Sequence, residues 1–261
     1  MKVREIFEKI NKIIPVSTQE KWDNSGFLVG DEEKEVEKTV FALDITKGAV
    51  EFAIENKADL IISHHPVIFE PLKDLKKDSI VYKLVENDIS AICMHTPLDI
   101  AECGMNEILF RKFSDEISIE KDYKILEETQ PDGTGFGFVA KLKKPLETGI
   151  FAKRIAKSLA ESDVRFYGGR KEVSVFAVCS GSGSSMLEYA KNLGADTLIT
   201  GDVKHDRWIA AENLEMNIVD AGHFGTEKFF YEPIFKLLKN YAECLKYEKK
   251  PYETINYKAG E

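Results

Sequence analysis

Val40-Phe41-Ala42-Leu43-Asp44, a polar turn, a helical segment and then Ala58-Asp59-Leu60-Ile61-Ile62-Ser63 form the stretch of sequence that decides the fold. Apolar runs on both sides of a segment with helical spacing predict a strand–helix–strand unit. The chain repeats this unit in Val175-Phe176-Ala177-Val178-Cys179, a turn, a helical segment and Gly194-Ala195-Asp196-Thr197-Leu198-Ile199-Thr200. The repetition predicts an α/β protein built as two similar three-layer lobes by internal duplication.

Each copy continues to a third strand, which we predict at residues 89–94 in the first copy and 216–220 in the second. Both strands lead to the same pattern, a histidine followed four residues later by a carboxylate: His95 with Asp99, and His223 with Glu227. Open α/β sheets bind ligands beyond the carboxyl ends of their strands. We therefore expect a site in the cleft between the two lobes.

The boundary between the lobes is expected near residue 120, because residues 115–135 are acidic and rich in turn formers. This gives a first lobe at 1–120 and a second at 121–261. Residues 227–245 have apolar positions at helical spacing and predict one long C-terminal helix, able to pack back on the first lobe.

His64 and His65 follow the apolar run directly and precede Pro66. In an extended segment adjacent side chains point in opposite directions, so the pair suits two metal ions better than one. Pro66 favours extended geometry at His65. The alternative is that one of the two is a structural histidine bonded to backbone; a pair after a buried strand favours ligands.

Asp99 and Glu227 are the carboxylate candidates for such a centre, since a carboxylate can bridge two cations. Each also has a simpler interpretation as the capping acid of a following helix. Pairing with His223 favours a ligand role for Glu227.

Four further polar residues have roles that the sequence leaves open. Metal-bound imidazoles usually need an outer acceptor, and Asp44 or Asp202 could serve; His95 could orient its loop. His205 is a candidate acid or base, and equally an exposed surface histidine. The run Ser180-Gly181-Ser182-Gly183-Ser184 is either a phosphate cradle or a flexible turn. No motif for an organic cofactor appears.

The composition restricts the class of protein. A hydrophobic content of 43% with 31% charged residues is globular, and the net charge of −9 disfavours indiscriminate phosphate binding. The charged N-terminus lacks a signal peptide and no apolar run approaches the ~20 residues of a membrane span, so we expect a cytoplasmic protein without a membrane partner. Four cysteines without CxxC spacing are expected to be reduced thiols.

An ordered set of motifs runs through the chain: Trp22-Asp23-Asn24-Ser25-Gly26, Leu43-Asp44, Ser63-His64-His65-Pro66 with Phe69, His95-Thr96-x-Leu98-Asp99 with Gly104 and Asn106, Gly181-Ser182-Gly183, Thr200-Gly201-Asp202 with His205, and Gly222-His223 with Thr226-Glu227. These motifs are specific as an ordered set, and through them the chain resembles, along nearly its whole length, the Nif-three-like proteins, also called GTP cyclohydrolase 1 type 2 homologues. The resemblance is weakest over residues 120–145, and no large domain is inserted between the lobes.

The resemblance implies two related α/β lobes, a dinuclear metal centre between them and a toroidal homohexamer. By position, His64 and Asp99 would hold one metal, His65 and His223 the other, and Glu227 would bridge. The two divalent ions could be zinc, iron, manganese or nickel.

Two functions follow as hypotheses. The first is a metal-dependent hydrolase of a nucleotide-like substrate, such as GTP, or a related phosphoesterase. The second is a non-catalytic ring-shaped oligomer that binds DNA or a protein, with local basic surface from Lys76-Lys77, Lys141-Lys143-Lys144 and Lys249-Lys250.

Overall fold

The computed structural model describes residues 1–253. Its strands form two sheets, and helices pack on both faces of each sheet. The strands are β1 (Gly26–Val29), β2 (Lys38–Ala42), β3 (Leu60–Ser63), β4 (Ser90–Cys93), β5 (Ile119–Glu128), β6 (Gly135–Glu147), β7 (Arg165–Gly168), β8 (Glu172–Val178), β9 (Thr197–Thr200), β10 (Asn217–Asp220) and β11 (Glu243–Tyr247). The helices are α1 (Val3–Ile13), α2 (Lys47–Glu55), α3 (Ile80–Glu86), α4 (Thr96–Ile100), α5 (Met105–Ser114), α6 (Thr148–Ser158), α7 (Leu187–Asn192), α8 (His205–Asn213), α9 (His223–Glu227) and α10 (Glu232–Leu238), with 3₁₀ turns at Val16–Thr18 and Ser184–Met186.

The strand order confirms the two α/β lobes. The first sheet runs β1-β4-β3-β2-β11 and the second β5-β6-β8-β9-β10-β7. In the first sheet β2, β3 and β4 are parallel, and β1 pairs antiparallel with β4. In the second sheet β8, β9 and β10 are parallel, and β7 pairs antiparallel with β10. Strand β7 therefore corresponds to β1, and β8, β9 and β10 correspond to β2, β3 and β4.

Alternation of side chains divides the buried apolar residues among three clusters, because neighbours in a strand face opposite sides of the sheet. Phe41 and Ile62 point to a central cluster, whereas Val40 and Ile61 point to an outer one under α2 and α3. The second sheet behaves alike, with Ile199 in the central cluster and its neighbour Leu198 in an outer one. One shared core therefore fixes the two lobes against each other.

Two strands, β5 and β11, were not predicted from the sequence. Strand β5 lies within the acidic stretch 115–135 and pairs with β6 as a long hairpin. The single long helix predicted over 227–245 is wrong: the chain forms α9, α10 and then β11, which pairs in parallel with β2. Helix α10 packs against α1, so the C-terminal segment of 1–253 contacts the first half of the chain twice.

Other features are simple. Cys93, Cys103, Cys179 and Cys244 are free thiols, two of them buried. Within the range 1–253, none of the helices has the length and apolar character needed to cross a bilayer.

Candidate metal centre

Five predicted ligands meet between the lobes at the carboxyl ends of the parallel strands. His64 and His65 follow β3. Asp99 lies on α4, the short helix after β4, and both His223 and Glu227 lie on α9, the short helix after β10. Residues four apart on a helix share one face, which explains why His223 and Glu227 point the same way.

The first ligand group combines both lobes: His65, His223 and Glu227. The Glu227 Oε2 atom lies 3.0 Å from His65 Nε2 and 2.9 Å from His223 Nε2, and the two nitrogens are 3.3 Å apart. Two ligand atoms that share one ion at ~2.0–2.2 Å are themselves about 3.0–3.5 Å apart. The spacing of these three atoms is therefore the spacing of ligands around a common ion.

The second group comprises His64, Asp99 and Glu227, all three buried. The His64 Nε2 atom lies 3.7 Å from Asp99 Oδ1 and 3.8 Å from Glu227 Oε1, too far for a hydrogen bond. It is buried without a hydrogen-bond partner among the described residues. An unpartnered buried imidazole nitrogen is costly unless something binds it.

Every imidazole of the centre is held by its other nitrogen. The Nδ1 atom of His64 donates to the Met94 carbonyl at 2.8 Å. The Nδ1 atoms of His65 and His223 donate to Asp44 and Asp202, each at 2.7 Å. In the neutral ring, donation from Nδ1 leaves an acceptor lone pair on Nε2, the tautomer that a metal requires. Asp44 and Asp202 thus take the outer positions that the sequence suggested for them.

His95 lies closer to the centre than a loop-orienting role requires. Its ring centroid is 5.2 Å from that of His64 and 5.5 Å from that of His65, and the three form a further potential ligand group. The Nδ1 atom of His95 donates to Asp23 Oδ1 at 2.9 Å. Asp23 also accepts from Thr96 N at 3.1 Å and from Ser25 Oγ at 2.8 Å, so its carboxylate is fixed on several sides.

The carboxylates and imidazoles of the site shift one another's pKa values. Burial lowers the pKa of His65, but the Asp44 and Glu227 carboxylates outweigh burial and raise it to about 10. The same balance, with Glu227 and Asp202 as acceptors, raises the pKa of His223 to about 9. Burial would raise the pKa of Glu227, yet the surrounding imidazoles hold it well below its usual range. The protein is therefore arranged to keep Glu227 ionised and surrounded by positive charge.

Burial dominates at Asp99 instead. It raises the pKa of this carboxyl to about 6, and the neighbouring Glu227 charge acts in the same direction while His64 opposes it. Asp99 also accepts a hydrogen bond from Ser180 Oγ at 3.4 Å. A cation in the buried group would relieve the desolvated charge of Asp99.

Two glycines allow the backbone to approach the ligands. A Cβ atom on Gly181 would lie 2.1 Å from Glu227 Oε1, and Gly181 has a φ of +59°. A Cβ atom on Gly201 would lie 2.4 Å from the backbone nitrogen of His223. The Gly181 amide donates to Thr226 Oγ1 at 3.0 Å, which ties the Ser-Gly turn to α9. The Gly183 amide donates to Thr200 Oγ1 at 2.8 Å, so two amides of this turn have partners that anchor it within the protein.

A cavity of about 450 Å³ opens beside the ligands. Its floor includes Asp99, His223 and Glu227, and its walls come from the segment around Trp22 and from the hairpin formed by β5 and β6. Cavities of this size hold ligands of drug or nucleotide size.

The structure separates some of the alternatives that the sequence left open. Asp99 lies inside α4, and α5 begins at Met105 after Gly104, so Asp99 does not cap α5. Glu227 ends α9 instead of opening a long helix. His205 is exposed at the start of α8 and lies neither in a ligand group found within residues 1–253 nor on the cavity wall. The sequence assigned no individual role to Asp23, whose only signal was its place in the family motif Trp22-Asp23-Asn24-Ser25-Gly26.

Comparison with known proteins identifies the family of this chain. The model of the family Duf34/NIF3 (NGG1p interacting factor 3) matches residues 1–255. The chain belongs to the Duf34/NIF3 family. This confirms the resemblance drawn from the sequence motifs.

Among curated members of the Duf34/NIF3 family, the GTP cyclohydrolase 1 type 2 homolog of Clostridium acetobutylicum is 31% identical over 234 residues, covering 87% of this chain and 85% of that protein. The GTP cyclohydrolase 1 type 2 of Helicobacter pylori is 30% identical over 259 residues, covering 97% and 99%. The solved structure of reduced HcgD from Methanocaldococcus jannaschii is 30% identical with a TM-score of 0.80, covering 94% of this chain and 97% of that one. A hypothetical protein of Staphylococcus aureus superimposes with a TM-score of 0.86 at 27% identity, covering 98% and 99%.

Proposed function

We propose that this Duf34/NIF3 protein binds two divalent metal ions between its lobes and acts in the cytoplasm as a metal-dependent hydrolase of a nucleotide-like substrate. One observation carries the proposal: the buried His64 Nε2 atom has no hydrogen-bond partner within residues 1–253 and faces two carboxylates at 3.7 and 3.8 Å. A cation among these three groups satisfies the nitrogen and both carboxylates at once.

The ligand chemistry fits two ions that share one carboxylate. Glu227 Oε1 belongs to the buried group through His64, and Oε2 to the open group through His65 and His223. A bridging carboxylate offsets the repulsion between two cations ~3.5–4 Å apart. The mixed imidazole and carboxylate set suits zinc, iron, manganese or nickel.

Divalent ions held by these residues would supply Lewis-acid activation of water for hydrolysis at neutral pH. The chain's own residues prepare the site for that chemistry. Asp44 and Asp202 fix the rings of His65 and His223, and Gly181 allows close approach of the turn to Glu227. Preorganised ligands of this kind avoid the cost of reorganisation during the reaction.

His95 is the residue best placed to hold or move a proton beside the substrate. It lines the cavity, and Asp23 fixes its ring through Nδ1. An imidazole oriented by a buried carboxylate presents Nε2 in a defined direction, as a general acid or base must. We assign His95 this role, with Asp23 as the residue that positions it.

The nucleotide-like substrate class rests on the cavity volume and on the names of the relatives, of which the Helicobacter pylori protein is a GTP cyclohydrolase 1 type 2. Binding of DNA finds less support. Lys76 pairs with Asp74, Lys141 with Glu120, and Lys250 with Glu161 and Asp163, so each of the three lysine groups has at least one member compensated by an acidic partner.

The test is turnover by protein with defined metal content. Loaded with two ions per subunit, the chain should hydrolyse members of a nucleotide and nucleoside panel, and His95→Gln should lower kcat about 10²–10⁴-fold while the metal content stays unchanged. Light scattering of the same sample should report the homohexamer that the family resemblance implies. A fully loaded protein that turns over no member of the panel would refute the hydrolase assignment.

A further inference from the structure

The cavity beside the metal ligands has an unusual charge for a site that would receive a nucleotide. Four carboxylates line it, those of Glu20, Asp99, Glu127 and Glu227. No lysine or arginine from residues 1–253 lines it, and none of the four carboxylates forms an ion pair with a lysine or arginine of that range. Phosphate groups are usually bound by basic side chains or by free backbone amides.

The two proposed metal ions would not give the cavity a net positive charge that attracts a polyphosphate. Two divalent cations would carry four positive charges, and the four lining carboxylates carry four negative ones. The site would then be close to neutral, which gives no net attraction for a triphosphate chain. The cavity with Lys47, Lys249 and Lys250 on its wall shares no lining residue with this one.

The walls of the cavity offer aromatic surface instead. The Trp22 side chain is 57% exposed, although its ring contacts His95 at a centroid distance of 5.8 Å and Phe69 at 6.1 Å. Phe136 lines the cavity from the hairpin. Exposed indole surface at the mouth of a cavity is suited to stack on a flat heteroaromatic ring.

Glu127 supplies an acceptor next to this aromatic surface. It stands directly opposite Phe136 in the β5–β6 ladder, so the two side chains project from the same face of the hairpin. A carboxylate accepts hydrogen bonds and donates none, and it binds two neighbouring N–H donors in a fork. Neighbouring ring N–H and exocyclic amino groups present that pair of donors.

We infer that the substrate bound here is an amino-substituted nitrogen heterocycle without a polyphosphate chain, stacked on Trp22 and held at its N–H edge by Glu127. This inference rests on the proposed function and narrows it, because it selects a nucleoside-like compound over a nucleoside triphosphate. The hairpin that carries Glu127 and Phe136 has no counterpart in the first copy of the duplication, and it thus adds recognition to the shared metal centre.

Three related probes test the inference with metal-loaded protein: guanosine, inosine, which lacks the exocyclic amino group, and GTP. Trp22 reports binding through fluorescence in a Trp208→Phe background, since the chain has two tryptophans. Guanosine should quench Trp22 and bind at least about 10-fold more tightly than inosine, the size expected for a charged hydrogen bond. GTP should bind more weakly than guanosine.

Glu127→Gln should remove the preference for guanosine over inosine. Guanosine binding should weaken about 10–100-fold because the charged acceptor of two hydrogen bonds is lost, whereas inosine, which offers only one of the two donors, should lose less affinity. Glu128→Gln is the matched control: Glu128 is exposed, precedes the same turn and points to the other face of β5, so it should change neither affinity.

The outcomes separate this inference from the proposed function. A metal-loaded protein that binds GTP more tightly than guanosine, or guanosine no better than inosine, overturns the inference and leaves the metal centre standing. Equal weakening of guanosine and inosine binding in Glu127→Gln would also overturn it. A chain that takes up no metal overturns the proposed function, and the inference with it.

Discussion

The carboxyl ends of β3 and β9 occupy equivalent places in the two copies of the duplication but carry different chemistry. Strand β3 is followed by His64 and His65, whereas β9 is followed by Gly201 and Asp202. A side chain at position 201 is excluded, because its Cβ would lie 2.4 Å from the backbone of His223. Asp202 instead holds the ring of His223. The first copy therefore supplies two ligands at this place, and the second supplies the support for one.

The two ligand groups also differ in how deeply their side chains are buried. His64 is fully buried, whereas the side chains of His65 and His223 are 23% and 31% exposed. The buried group is held by a backbone carbonyl and the open group by two partly exposed carboxylates. In the proposed centre, the buried group would therefore form a sealed position and the open group a position that water and substrate can reach.

The largest effect on metal content is expected from neutralising the equivalent carboxylates of the two copies, Glu227 and Asp99, one at a time. Glu227→Gln should remove both ions, because Glu227 belongs to both ligand groups. Asp99→Asn should remove only the buried ion, because Asp99 belongs to that group alone. Elemental analysis should therefore fall from two ions per subunit to none in the first variant and to one in the second, with turnover abolished in Glu227→Gln.

Both substitutions preserve side-chain shape, so circular dichroism should report an intact fold in each. Equal metal loss in the two variants would contradict the shared role of Glu227. It would also remove the distinction between a sealed and an open position.

Features of the fold and of the site that depend on neighbouring residues could be predicted from the sequence. Features that join residues far apart in the chain could not. Apolar alternation and the repeated histidine–carboxylate spacing are local, and they led to the strands, the two lobes and the convergence of the ligands. The pairing of His95 with Asp23 joins residues 72 apart, and the acceptor of His64 is a backbone carbonyl, so no side-chain pattern encodes them.

The two missed strands have a common physical cause. Strands β5 and β11 are the outermost members of their sheets, where one side of the strand is unpaired. Edge strands tolerate charged residues, which discourage pairing with other chains, and they therefore lack a clear apolar alternation. The charged residues of β5 resembled a turn-rich segment. The short β11, with Glu243 and Lys246 between apolar residues, resembled a continuation of the helical spacing before it.

A smaller effect is expected from the outer carboxylates of the open group. Asp44→Asn and Asp202→Asn should each weaken binding of one ion about 10–100-fold, because an amide orients and polarises the imidazole less well than a carboxylate. Titration calorimetry of the metal-free variants measures this directly. The buried ion should be unaffected, and Asp206→Asn, which changes an exposed acid of α8, should bind both ions normally. Loss of the buried ion in Asp44→Asn would show that the two groups are not separate.

The smallest effect concerns protons. In the metal-free protein the pKa values of His65 and His223 are raised to about 10 and about 9, so both rings are charged at pH 7. A metal binds only the neutral ring, so loading the open group should release about two protons, measurable by calorimetry in buffers of different ionisation enthalpy.

Raised pKa values also stabilise the metal-free fold fully below the unfolded-state pKa of ~6.5, and this contribution disappears as the pH rises through 9 and 10. The Tm of the metal-free protein should therefore fall between pH 7 and pH 10 by more than that of the loaded protein, and metal uptake without proton release would contradict imidazole ligation at the open position.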